Sequence, residues 1–381
     1  MADCAAVPDE ELERTRIRLN QYFAGQITLA IEKNPAANFD QLVNGTLTVY
    51  RRHLQAATKR ATKTSQEKGP TKPRKRCSPE FHEVPRGIPV IAAALSPLVL
   101  RLLSSPESPS SREPIALLQH GHPRLVEEGQ YLFSGVLRYV IKLSDEVVVK
   151  IGRNLAHEEY ALLEFVKHHA PGVPIPMPLG IAMIGEVSYM FSTFIPGETL
   201  ENRWKTLSPC EKVSVRHQLQ QMILELRGAP HLTSTPLGML SSPFLCKNVR
   251  MFLSTSASTL SSVSEFHDFL LEDPLPRISS GYLRWLRSLL RDDYRNVMTH
   301  GDFHPQNILV ADDVSNGGII VSGIIDWEMG GWYPEYWEMY KALNTRAADN
   351  DSDWWDSFPE AILGCDLEVA VGRLVERVTH G

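Results

Sequence analysis

Cysteine is scarce in this chain of 381 residues: Cys4, Cys77, Cys210, Cys246 and Cys365 are odd in number and never form a C-x-x-C pair. That argues against a disulfide framework or a cysteine zinc site and suits a reducing compartment. Long apolar runs are missing too. The longest, residues 88–100, is interrupted by Pro89 and Pro97 and is too short to span a bilayer. There is no cationic-then-apolar opening, because Asp3, Asp9, Glu10 and Glu11 come first. The expectation is a soluble, cytoplasmic protein without a membrane partner. Nor is there a strong charge of one sign: the net charge is -6, and nothing global points to nucleic acid. One local exception is residues 51–76, rich in Lys and Arg with Glu67 as the single acid. Within it, Lys72-Pro73-Arg74-Lys75-Arg76 could serve as a nuclear address or a nucleic-acid patch, although a solvated linker is the commoner meaning of such a run.

What is present is a pair of chemically suggestive segments. His300-Gly301-Asp302-Phe303-His304-Pro305-Gln306-Asn307 leads into an apolar strand at 308–310, and a second apolar strand at 319–325 ends in Asp326-Trp327-Glu328. Phosphoryl transfer from ATP needs a carboxylate to take the proton of an attacking hydroxyl, and oxygen ligands for the magnesium on the phosphates. Protein kinases supply these with H-R-D-x-x-x-x-N followed by D-F-G. The same spacing stands here, with Gly301 in the Arg place. A hairpin of the two strands would bring Asn307 and Asp326 to one end. His300, Asp302 and His304 alternate and could instead ligate a metal, but that leaves Asn307 and Asp326 without a role.

These segments, continued by Gly331-Trp332-Tyr333-Pro334-Glu335-Tyr336-Trp337-Glu338, resemble the catalytic signature of the aminoglycoside phosphotransferase and choline kinase-like family, its fungal-type members above all. The resemblance implies Asp302 as catalytic base, with His300 beside it in the catalytic set, and Asn307 and Asp326 as magnesium ligands. The missing Arg at 301 implies that no phosphorylated activation loop is read.

Upstream, residues 9–31 and 38–54 have helical spacing, and 104–111 form a Ser/Pro linker. From about 113 short strands follow at 130–133, 137–143 and 147–151. The turn Ser134-Gly135 takes the place of a loop over the phosphates, with one Gly where kinases have G-x-G-x-x-G. Lys150 ends the third strand and needs a partner if buried. The helix expected at 156–168 offers Glu158 and Glu159; the resemblance favours Glu158, and Glu159 stays open. Two further strands, 179–183 and 187–194, run into Thr193, Phe194 and Ile195, the inter-lobe hinge whose backbone would meet adenine. Helices are expected at 208–227, 264–271 and 281–290. In the tail Trp332, Tyr333, Tyr336, Trp337, Trp354 and Trp355 mingle with Glu335, Glu338, Asp349, Asp351, Asp353 and Asp356. That mix suits a cationic amine, though packing is the commoner use of such aromatics.

The resemblance implies an α+β, two-lobed protein kinase-like fold with a small β-rich lobe and a larger helical lobe. The expected division is a helical and disordered extension over 1–112, the small lobe over 113–195 and the large lobe over 196–381. The implied activity is ATP- and Mg2+-dependent phosphoryl transfer to a hydroxyl of a small molecule. A nucleotide-binding pseudokinase is the alternative.

Overall fold

The computed structural model describes residues 84–379 apart from 105–112, 136–137, 154, 156, 232–233, 250–252, 316, 345 and 347–350. It also describes positions 23, 27, 31 and 43, all helical. Beyond those four positions, the helices expected at 9–31 and 38–54 and the basic run at 51–76 lie outside the described residues. So does the Ser/Pro linker after Ser104.

Six antiparallel strands build one sheet in the order β1-β5-β6-β4-β3-β2. They are β1 (Pro89–Ala93), β2 (Gln130–Ser134), β3 (Arg138–Lys142), β4 (Val147–Arg153), β5 (Pro178–Ile184) and β6 (Val187–Thr193). Five of these follow the expected pattern. The sixth, β1, falls inside the stretch assigned to an extension, so a lobe beginning at 113 omits part of its own sheet. The apolar run at 88–100 resolves at its prolines. Pro89 opens the edge strand, where its missing N–H costs nothing, and Pro97 starts helix α1 (Pro97–Leu103) behind the Ser96 N-cap.

Between α1 and β2 runs helix α2 (Pro114–Glu128), to which the sequence reading assigned no element. Strand alternation decides what the two helices cover. Tyr139, Ile141, Val147, Val149, Ile151, Tyr189 and Phe191 point to one face and pack with Val99, Leu103, Leu118 and Val126. Arg138, Val140, Lys142 and Lys150 alternate with them and belong to the opposite face. Inside the covered face, Tyr189 and His122 share a 2.7 Å hydrogen bond that satisfies both buried groups.

Helix α3 (Glu158–His169) buries Leu162, Leu163 and Val166 in a second core. Strand β7 (Glu198–Thr199) leads into Leu200 and Trp204 of that core, which also takes Val215, Leu219, Ile223 and Leu226 from helix α4 (Pro209–Arg227). Ser208 and Glu211 cap α4 reciprocally, each side chain meeting the other's backbone. Further on come helices α5 (Val263–Leu270) and α6 (Ser280–Ser288), then β8 (Asn296–Thr299), β9 (Ile308–Asp312) and β10 (Ile319–Ile324). Strand β9 pairs antiparallel with both β10 and β7. Strand β11 (Gly331–Pro334) pairs with β8, and helices α7 (Trp337–Asn344) and α8 (Asp366–Thr379) follow. The architecture is therefore a small β-rich lobe followed by a larger helical one, as the α+β reading expected. Among the described residues no helix is long and apolar enough to cross a membrane.

The tail aromatics are core. Trp332, Tyr333, Tyr336, Trp337 and Trp354 are at most 2% exposed, with Trp355 at 8%. Of the acids named with them, Glu335 pairs with Arg295 and Asp353 with Lys212, while Asp349 lies outside the described residues. They offer no open cage to a cationic amine, so the packing role holds.

Candidate active site

The β9–β10 hairpin positions the two halves of the motif. Ile308 stands opposite Ile324, and the Ile325 N–H donates to the Asn307 carbonyl at 2.9 Å. Asn307 and Asp326 thus leave the hairpin side by side, as the spacing predicted. The loop from Thr299 to Asn307 is fixed by internal bonds. The Asn307 amide nitrogen donates to the Asp302 carbonyl at 3.0 Å and to its carboxylate at 2.9 Å. Both partners can only accept, so the amide must present its nitrogen there, leaving its carbonyl oxygen for a cation. His304 Nε2 lies 3.4 Å from the Asp302 carboxylate. Burial works to raise the Asp302 pKa; the hydrogen bond and charge of His304, with His300 and Asn307, outweigh it and hold the group below the usual range.

His300 has a different task from the catalytic one expected. It is 1% exposed, and its Nε2 lies 2.9 Å from the Ile325 carbonyl. Its Nδ1 accepts the Asp302 N–H at 3.2 Å, so Nε2 must carry the proton and donate. The imidazole therefore ties the loop to the strand before Asp326, enclosed where a substrate cannot reach it. Gly301 occupies a left-handed conformation, φ +74°, and a Cβ there would run into the Met329 carbonyl. That is why glycine stands in the kinase arginine's place.

Underneath, the Glu338 carboxylate accepts the N–H groups of His300 at 2.6 Å and Gly301 at 3.0 Å. Glu338 is 1% exposed; burial lifts its pKa, opposed by His300, those N–H donors and Arg227. This anchor lies in the quoted run of the resemblance, yet nothing in its spacing marks it from the neighbouring acids.

Lys150 projects from β4 into three carboxylates. Its ammonium is 2.7 Å from Asp326, 3.0 Å from Glu159 and 3.5 Å from Glu328. The helical partner is Glu159, not Glu158. Helix α3 begins at Glu158, and the face that buries Leu162, Leu163 and Val166 takes in the residue three, four and seven positions earlier, Glu159. Glu158 points elsewhere, 3.7 Å from Lys247. Glu159 also accepts the Trp327 N–H at 3.2 Å, joining the lysine to the loop after Asp326. Burial lifts the Glu159 pKa and Lys150 opposes it; with two further carboxylates on the same Nζ, Lys150 stays an ammonium.

Asp326 itself is left-handed, with φ 64° and ψ 60°, a conformation uncommon for a non-glycine residue and found at functional turns. Burial acts to raise its pKa, and the charge and hydrogen bond of Lys150 outweigh this and lower it. Oxygens of Glu159, Asp326 and Glu328 lie within 4.8 Å of one another. An all-oxygen set of this kind suits a hard cation such as Mg2+ rather than zinc. Glu328, in the glycine place of D-F-G, was not assigned from sequence, although it stands two residues beyond the predicted ligand.

The remaining expected positions separate. Strand β2 ends at Ser134, and the Gly135 N–H donates to the Arg138 carbonyl at 2.8 Å. At the hinge, the Thr193 N–H donates to Met177 and the Phe194 N–H to Glu146, both at 2.9 Å. Those two donors are spent, so neither N–H is open to a ligand.

The Phosphotransferase enzyme family signature matches residues 132–364, more than half of the sequence. The chain belongs to this family. It is a phosphotransferase. Among solved structures, aminoglycoside phosphotransferase APH(4)-Ia is 16% identical over 66% of this chain and 77% of its own, with a TM-score of 0.41. The streptomycin-ATP ternary complex of APH(2")-IIa is 17% identical over 66% and 83%, with a TM-score of 0.43. Aminoglycoside-3'-phosphotransferase of type VIII is 16% identical over 65% and 93%, at 0.42. No curated protein matches this chain.

Proposed function

We propose that this phosphotransferase moves the γ-phosphate of ATP, with Mg2+, to a hydroxyl of a small molecule. The observation that carries the reading is the convergence of an ionised Asp302, the Asn307 carbonyl and the Asp326 carboxylate beside a buried Lys150–Glu159 pair. Asp302 would accept the hydroxyl proton as the acceptor oxygen bonds to the γ-phosphorus. The bond from that phosphorus to the bridging oxygen breaks, and its electron pair leaves with ADP. The depressed pKa of Asp302 suits a proton acceptor that must be ionised before the acceptor arrives.

Lys150, kept as an ammonium and aimed by Glu159, would hold the α- and β-phosphates. Magnesium, held by Asp326 and Asn307 with Glu328 beside them, would neutralise charge on the phosphate chain. The Ile195 backbone would take the adenine edge. Most of the rate would then come from positioning and charge stabilisation, with no covalent intermediate on the enzyme.

The test is ADP formation with Mg2+ across aminoglycosides, choline-like amines, amino alcohols and sugars, by the wild type and Asp302→Ala. Acceptor-dependent turnover by the wild type alone is expected, with ATP binding by the variant nearly intact. Equal turnover by the variant would contradict the role of Asp302.

A further inference from the structure

Lys150 is not the only cation turned toward the Asp326–Glu328 loop. Arg138 opens β3 directly after the turn at Gly135. Because Val140 stands opposite Lys150 on β4, Arg138 two positions away is the diagonal neighbour of Lys150 on the same sheet face. Both side chains converge on Glu328. The Arg138 Nη1 lies 2.7 and 2.5 Å from its two carboxylate oxygens, and the Lys150 Nζ lies 3.5 Å from one of them. The arginine side chain is 38% exposed and the glutamate 21%, so the bridge remains open to solutes.

Each partner of this bridge also matches one component of a metal nucleotide. A guanidinium presents a planar fork that suits phosphate oxygens, while a carboxylate within 4.8 Å of two others suits a hard cation. Arg138 also carries the carbonyl that closes the Gly135 turn, so its side chain starts beside the loop read as covering the phosphates. We propose that Arg138 is a phosphate-binding residue that exchanges Glu328 for the β- and γ-phosphates of the nucleotide. This inference rests on the ATP reading above. It adds a second cation to Lys150 and predicts discrimination between nucleotides by the length of their phosphate chain.

The experiment compares ATP and AMP affinities of the wild type, Arg138→Gln and Glu328→Gln, measured in EDTA by calorimetry so that metal binding does not enter. Arg138→Gln is expected to weaken ATP binding roughly 10- to 100-fold, the loss of a charge-assisted contact, and to leave AMP binding within about twofold. Glu328→Gln breaks the same bridge but keeps the arginine, and is expected to bind ATP as tightly as the wild type or more so. If the two variants behave alike, or if Arg138→Gln binds ATP like the wild type, Arg138 is only a structural bridge and the proposal falls while the ATP reading stands. A wild type that binds ATP neither in EDTA nor with Mg2+ overturns both. Should Arg138→Gln fail to fold, Arg138→Lys carries the same test: a charge without the fork is expected to lower the ATP-to-AMP preference several-fold, and an unchanged preference overturns the proposal.

Discussion

Removing Glu338 should damage the catalytic loop without touching any group that meets substrate. The carboxylate receives the consecutive N–H groups of His300 and Gly301 at 2.6 and 3.0 Å and is 1% exposed. Glu338→Ala leaves both donors buried without an acceptor. At about 1–3 kcal/mol for each of the two stranded donors, the expected loss is about 2–6 kcal/mol of unfolding free energy. Glu338→Gln keeps one acceptor oxygen but turns an NH2 group toward the other N–H, so its loss should be smaller. Urea denaturation measures both. Because Asp302 follows Gly301 directly, kcat should fall in either folded variant, with the KM for nucleotide moving less, since Lys150 and the hinge lie on other elements. A Glu338→Ala protein within about 0.5 kcal/mol of the wild type would refute the anchoring role, because that is the range of substitutions at unengaged surface positions.

The remaining predictions concern the lysine partner, the loop glycine and the C-terminal helix. Glu159→Gln should cut kcat/KM at least roughly tenfold by loosening Lys150 and the Trp327 backbone together, whereas Glu158→Gln should stay within about twofold; steady-state kinetics with equal losses would return the assignment to chance. Gly301→Ala should cost at least about 2 kcal/mol, from its positive φ and the contact of a Cβ with the Met329 carbonyl, and wild-type thermal stability would count against it. On α8, burial pushes the Glu376 carboxyl up to about 7. A raised carboxylate pKa favours the protonated folded state, so stability is lost as pH climbs from the ordinary glutamate range through 7. Glu376→Gln should therefore melt higher than the wild type at pH 8, by on the order of 1 kcal/mol after allowing for partial exposure and for Arg373 at 3.4 Å, and the difference should vanish near pH 4. A difference independent of pH would exclude titration as its cause.

The candidate site was legible because it sits in short, contiguous segments. Asp302, Asn307 and Asp326 are spaced by one loop and one hairpin, and strand alternation fixes where they emerge. Lys150 could be found for the same reason, at the end of an apolar strand. What failed depends on phase and distance. Adjacent residues on a helix differ by about 100°, and the resemblance favoured Glu158 where the face that buries Leu162, Leu163 and Val166 takes in Glu159. Strand β1 was hidden because its partner β5 lies some ninety residues on, and a five-residue strand that opens on Pro89 does not announce a sheet edge. Helix α2 carries Gly121 and Pro123 in its interior, both of which read as breakers. His300 looked catalytic by its place in the motif; only its burial and its two ring partners reveal that it holds the loop. Arg138 and Glu328, almost two hundred residues apart, meet through tertiary structure alone.

The central claim is that Asp302 presides over transfer of the γ-phosphate to an acceptor hydroxyl. Its most direct test follows the label from γ-labelled ATP into product with the wild type and Asp302→Asn, the isosteric variant that cannot take the proton. The account predicts labelled phosphate on the acceptor with the wild type, and loss of that product with nucleotide affinity retained in the variant. Labelled acceptor formed at the wild-type rate by Asp302→Asn would contradict it.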